Sequence, residues 1–233
     1  MVDYPEPLQT GALIKRYKRF LADIRLDSGE EITAHVPNTG SMLSTRDPGS
    51  KVAVSHHDNP ARKLKWTLEL VQSGGTWVGV NTSLSNRIVE SAISENLIPE
   101  LHEFDAIRRE VKYGAGSRID LLLESQAGKC YVEVKNVTYR NGDGAYFPDA
   151  VTARGAKHLR ELMAMVKEGH QSVMFFLVNR EDCEFISPAA EIDPTYTQTL
   201  VTASKSGVQL LAYNVRHTIK GCKIGRKIPV RLP

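Results

Sequence analysis

The segment GSRIDLLLESQAGKCYVEVKN, residues 116–136, holds two apolar stretches, one interrupted by Asp120 and the other by Glu133 and Lys135. Side chains alternate between the faces of a strand, so Arg118 shares a face with Asp120, and Tyr131, Glu133 and Lys135 share one in the next strand. A hairpin with its tight turn at Gln126-Ala127 sets Leu122 across from Tyr131 and Asp120 across from Glu133, about 4.5–5.5 Å apart at Cβ. Two carboxylates that close repel, and one is driven toward protonation unless a cation lies between them. Hard oxygen ligands of this kind suit Mg²⁺ or Mn²⁺, which keep several waters. Lys135 is then placed to hold a phosphate oxygen or to stabilise an attacking hydroxide. Acid, acid and lysine around a divalent ion predict phosphodiester hydrolysis. The alternative is a structural ion pair in which Lys135 neutralises an acid, and a register slip of one residue would break the site altogether.

Two helices are expected beside this hairpin. "SLSNRIVESAISENL" has apolar residues at 84, 88, 92/93 and 97, a helical period, with Ser83 or Ser85 available as N-cap. Glu90 on this helix is a candidate third acid or second-metal ligand. "ARGAKHLRELMAMVKEG" reads as a helix with Leu159, Leu162, Met163 and Val166 inward and Gly169 as its stop. Arg154, Lys157 and His158 stand at i, i+3 and i+4 on it and form a row suited to phosphate groups.

The rest of the chain supplies the frame. Residues 11–80 read as five short strands separated by "DSGE", "PNTGSM", "DNPARK" and "SGG", which predicts a small OB-type barrel. Here "ALIKRYKRFLADIRL" is taken as one long basic strand, and "PNTGSM" as a structural turn. Strands near 107–113, 117–124 and 129–137 follow the first helix, and "SVMFFLV" reads as a buried strand. A helix near 194–206, a strand near 208–215 and a basic closing strand complete a mixed α+β chain. The boundaries drawn are 1–82 for the barrel and 83–233 for an α-β-β-β-α-β unit.

Composition narrows the function classes. Hydrophobic residues at 41% and charged residues at 24% fit an ordinary folded domain, and no apolar run approaches a membrane span. The first residues lack the basic start and apolar run of a secretory signal, so a cytoplasmic protein is expected. Cys130, Cys183 and Cys222 are scattered without metal-binding spacing and are read as reduced and structural. Net charge is only +3, but residues 1–66 carry ten Lys/Arg against eight Asp/Glu, and residues 214–233 carry six against none. Basic ends around an acidic centre suit a protein that grips a polyanion and holds cations in its middle.

Basic and aromatic residues cluster in "IKRYKRF", with Arg16, Lys18 and Arg19, and in "ARKLKW", with Arg62, Lys63 and Lys65. Positive side chains for a phosphate backbone, interleaved with aromatics for stacking, suit sequence-independent DNA binding. The residues leave open RNA in place of DNA, single or double strands, and monomer or homodimer.

The pattern D-x₁₂-E-x-K on a hairpin within α-β-β-β-α-β resembles the PD-(D/E)XK nuclease core, with Ile119 where that pattern often has proline. Longer stretches, among them "RYKRFLADI", "HVPNTGSM", "NPARKLKWTLELV", "SRIDLLL", "YVEVKNVT" and "FPDAVTARGAKHLRELM", resemble the sugar fermentation stimulation proteins over nearly the whole chain. That resemblance implies an OB-like domain, a nuclease-like domain, sequence-independent DNA binding and a regulatory role in maltose metabolism. On it, Asp120, Glu133 and the main-chain carbonyl of Val134 would hold the metal, and Lys135 would orient the water. A DNA-binding regulator on a nuclease fold, without turnover, is the second expectation.

Overall fold

The computed structural model of the chain describes residues 1–4, 7–114 and 116–233. After a two-residue strand β1 (Val2–Asp3), the first unit is built from β2 (Gln9–Tyr17), β3 (Leu21–Leu26), β4 (Glu31–His35), β5 (Lys51–His56), β6 (Trp66–Ser73) and β7 (Thr76–Gly79). The sheet runs β4-β3-β2-β5-β6-β7, and a parallel pairing of β4 with β6 closes five of its strands into a barrel. Alternation drives the closure: Leu13, Ile24, Leu26, Val52, Val54, Leu68 and Val71 all point into one core.

The long basic strand expected from the sequence is two strands. The chain reverses at Lys18 and Arg19, whose φ angles of 48° and 63° lie in the left-handed region. Tyr17 pairs with Leu21, so only three residues are left to make the turn, and positive φ is what so short a connection demands. Lys18, Arg19 and Phe20 therefore stand at an exposed hairpin tip instead of alternating between two faces.

The second unit contains α1 (Ser85–Ser94), β8 (Ala106–Tyr113), β9 (Ser117–Ser125), β10 (Gly128–Val137), β11 (Arg140–Asn141), β12 (Gly144–Phe147) and α2 (Ala153–Lys167). β13 (Gln171–Val178), β14 (Phe185–Pro188), α3 (Pro194–Lys205), β15 (Gln209–His217) and β16 (Gly221–Lys227) complete it. Its main sheet has the order β1-β16-β15-β13-β10-β9-β8, with β10, β13 and β15 parallel. α1 covers one face through Ile88, Val89, Ala92 and Ile93, and α2 and α3 cover the other through Leu159, Leu162, Tyr196 and Leu200. β13 is covered on both sides, which is why "SVMFFLV" is continuously apolar. Two details depart from expectation. Val2–Asp3 pairs with β16, so the first residues belong to this sheet and not to the barrel. A small second sheet, β11-β12-β14, is formed by segments too short to carry a readable period. Among the described residues no helix is long and apolar enough to cross a membrane.

Candidate metal and nucleic-acid site

The β9–β10 hairpin turns at residues 126 and 127, pairs Ser125 with Gly128, and sets Leu122 opposite Tyr131. The ladder ends at the Leu121–Val132 pair. Beyond it the Val134 N–H is taken by the Asp120 side chain, whose Oδ2 accepts it at 2.8 Å. Asp120 Oδ1 accepts from the Asn86 side-chain amide of α1 at 2.9 Å. The strands thus part at the acids, and a side chain fills the place of the missing backbone bond.

Glu133 lies deeper, only 2% exposed. Its Oε1 meets the Lys135 ammonium at 2.6 Å and the Nδ1 of His158, which stands on α2. His158 Nε2 in turn accepts from Arg154 Nε at 3.3 Å, which assigns the ring proton to Nδ1. The other oxygen, Glu133 Oε2, is buried and has no hydrogen-bond partner among the described residues. Burial raises the Glu133 carboxyl, but the bond from His158 and the charge of Lys135 outweigh it, and the group lies below the usual range. Burial, and then the Glu133 charge, push Asp120 upward; the Val134 N–H and the Asn86 amide oppose this without winning. The two carboxyls are thus displaced in opposite directions, Glu133 downward and Asp120 upward. A buried carboxylate oxygen without a hydrogen-bond partner among the described residues, beside a second acid that its charge disturbs, is a place where a cation could be held. Among the described residues no group of three or more acids, histidines or cysteines converges, so the donor set is two carboxylates and main chain. That set fits a hard dication that retains water.

Asp120, Val134 and Lys135 form the floor of a cleft of about 530 Å³ between the two units. Asn136 through Tyr139 and residues 146–152 continue one wall, and Arg19, Asn38, Thr39 and Gly40 of the barrel form the other. Asp149 fastens the walls together by accepting from Met42 N–H at 2.8 Å. Gly40 allows this approach, since a Cβ there would sit 2.6 Å from Asp149 Oδ1.

The model described as the sugar fermentation stimulation protein RE domain matches residues 83–221, and the SfsA N-terminal OB domain model matches residues 14–80. The chain belongs to the sugar fermentation stimulation protein family. Family homologues from Geotalea uraniireducens (strain Rf4) and Paramagnetospirillum magneticum (strain ATCC 700264 / AMB-1) are each 52% identical to it, over 228 and 230 residues, covering 98% of this chain and 99% and 98% of theirs. The solved structure of Pyrococcus furiosus SfsA in complex with Ca²⁺ matches it with a TM-score of 0.90 at 25% identity, over 100% of this chain and 98% of that one. An OB-like barrel followed by a mixed α/β RE domain is the fold of this family member.

The other sequence candidates divide between the cleft and elsewhere. Glu90 does not reach the acids: it pairs with Arg109, and Asn86, one turn earlier on α1, is the residue that contacts Asp120. His158 belongs to the floor of the site and is buried, not part of an exposed phosphate row. Lys157 is exposed and lies 3.7 Å from Glu161, while Arg154 remains exposed beside His158. Arg16 is half-buried, its Nη2 donating to the carbonyls of Arg19, Asn38 and Gly40, so it shapes the barrel wall instead of facing solvent. Lys63 and Lys65 are exposed in the loop between β5 and β6, and half-buried Arg62 bonds Thr67. That loop and the 18–20 tip share one end of the barrel, because His35 pairs with Leu21 on one side and Thr67 on the other. In an OB-type barrel these two connections are the usual oligonucleotide-binding loops.

Proposed function

We propose that this protein binds nucleic acid without reading its sequence and hydrolyses phosphodiester bonds with a divalent cation, Mg²⁺ or Mn²⁺. The observation that carries the reading is the buried Glu133 Oε2, without a hydrogen-bond partner among the described residues, behind Asp120 and Lys135, which line the floor of a cleft whose far wall is the barrel. Glu133, Asp120 and the Val134 carbonyl would hold the cation, which when bound activates water and offsets charge on the phosphoryl group. The complex of the P. furiosus relative with Ca²⁺ supports a divalent-cation site in the family. Lys135, at the cleft surface, orients the water and meets a phosphate oxygen. His158 and Arg154 hold Glu133 ionised and turned toward Lys135. The hairpin tip at Lys18, Arg19 and Phe20 and the loop with Arg62, Lys63 and Lys65 take the backbone, with DNA as the expected polymer. Contacts of that kind give affinity that falls steeply with salt.

A second reading, binding without turnover in a regulator of sugar use, is favoured by one observation: the Lys135 ammonium is already engaged with Glu133 at 2.6 Å. Incubating labelled DNA and RNA oligonucleotides with protein and Mn²⁺, against EDTA and Asp120→Asn, decides between them. We expect Mn²⁺-dependent cleavage that drops at least about 100-fold in Asp120→Asn. Binding intact in both proteins with equal background cleavage would leave only the regulator.

A further inference from the structure

Two tyrosines next to the cation site have no part in the chemistry above. Tyr139 and Tyr146 line the large cleft, and the same two residues line a second pocket of about 260 Å³ together with Asn141 and residues 188–192. Their rings are 6.0 Å apart and tilted by 49°. The pair is braced: Tyr146 N–H donates to the Tyr139 carbonyl at 2.9 Å, and the Tyr146 ring stands edge-on to Phe185 at 6.2 Å. Arg231 covers Phe185 at 4.0 Å. Gly144 makes room for this stack, since a Cβ there would lie 2.6 Å from the Phe185 ring and 2.9 Å from Tyr146. Both tyrosines are half-buried, with no hydrogen bond to either hydroxyl among the described residues. Rigid aromatic surface is thus open to a ligand.

The lining settles the class of ligand. The pocket contains no lysine or arginine, and Glu191 is exposed at its edge, so a phosphate group is repelled there. A flat, uncharged ring is favoured, and the pocket lies just below the usual size range for drug-sized ligands. Asn141 offers an amide donor and acceptor, and Glu191 accepts from an exocyclic amine. We propose that this pocket receives an unpaired nucleobase, stacked against Tyr139 and Tyr146, from the strand whose phosphate lies over Asp120 and Lys135. This rests on the nucleic-acid reading and sharpens it. A base held in a duplex cannot offer its face to the tyrosines, so the ligand is single-stranded or opened at that nucleotide. Stacking is tolerant of base identity, in keeping with binding that ignores sequence.

The test compares a short oligothymidylate with an abasic strand of equal length and charge, at fixed salt and in EDTA. The proteins are the full chain, its Tyr139→Ala and Tyr146→Ala variants, and the corresponding Tyr→Phe variants. The unaltered protein is expected to prefer the intact strand at least about ten-fold. The Ala variants lose that preference while keeping their affinity for the abasic strand, and the Phe variants retain it. Equal binding of both strands by the unaltered protein overturns the base pocket and leaves the nucleic-acid reading standing. Binding of neither strand overturns both. A preference that survives in folded Tyr139→Ala and Tyr146→Ala overturns the pocket, and Tyr139→Leu and Tyr146→Leu, which keep bulk without the ring, give the same reading where an Ala variant does not fold.

Discussion

Lys135 and Glu133 show how a buried charge is kept. The carboxylate is almost wholly out of water, and its stability depends on the ammonium at 2.6 Å and on the imidazole of His158. Removing one member of such a pair leaves the other charge stranded, a loss of about 3–5 kcal/mol. Lys135→Met should therefore lower unfolding stability by about 3 kcal/mol in urea titrations. Saturating Mn²⁺ should recover part of that loss by supplying the missing positive charge, which an unchanged midpoint would contradict. The turn and the Leu122–Tyr131 register expected from the sequence are those of the structure, because a two-residue turn and the period of two fix them, but the ladder ends one pair short of Asp120 and Glu133. His158 was misread. Its row with Arg154 and Lys157 looks polar, yet His158, Leu162 and Met165 follow i, i+4, i+7 spacing and all point inward. That spacing was the available signal. Glu90 was misread for a matching reason: Asn86 shares its helix face but lies one turn nearer the cleft.

At the scale of elements, the hairpin tip between β2 and β3 departs most from a strand-based reading. Two consecutive non-glycine residues hold positive φ there, a conformation that costs L-residues roughly 1 kcal/mol each. Phe20 stays 45% exposed at the tip, and Arg19 lines the cleft. Strain and exposed apolar surface in one place point to function over folding. Arg19→Gly should accordingly leave stability unchanged or raise it by up to about 1 kcal/mol, because glycine accepts positive φ. The same variant should bind nucleic acid more weakly, with the slope of log affinity against log salt reduced by about one. Lower stability with unaltered binding would show the tip to be structural. The period of two read correctly through both flanking strands, but it carries no sign for a reversal made without glycine or proline.

At the scale of the whole molecule, the cleft lies between two docked units, which meet through an apolar cluster of Ala53, Leu70 and Trp77 with Tyr4, Leu8 and Leu84 and through polar contacts. Gly79 N–H of β7 donates to the Asn179 carbonyl, and the Asn179 side chain bonds both Asn136 in the cleft and His217. His217 also meets the Tyr4 hydroxyl at 3.0 Å. These contacts join residues far apart in the chain, which is why no periodicity reveals them, whereas each unit's own core was readable. Burial pushes the His217 imidazole down to about 3. The folded chain then refuses a proton that the unfolded chain accepts below its ordinary value near 6.5. Stability from this group is complete above about pH 6.5 and falls as the pH drops toward 3, by about 1.4 kcal/mol per unit inside that window. His217→Gln should flatten the dependence of the urea midpoint on pH between those limits. An equal slope in both proteins would assign the acid sensitivity elsewhere.

On the proposed function, Asp120 and Glu133 share one dication. That sharing is tested most directly by anomalous diffraction from crystals grown with Mn²⁺. A peak within bonding distance of both carboxylates, with Glu133 Oε2 among its ligands, is the predicted result. Saturating Mn²⁺ with no peak beside these two side chains, or with a peak bound to neither, would contradict it.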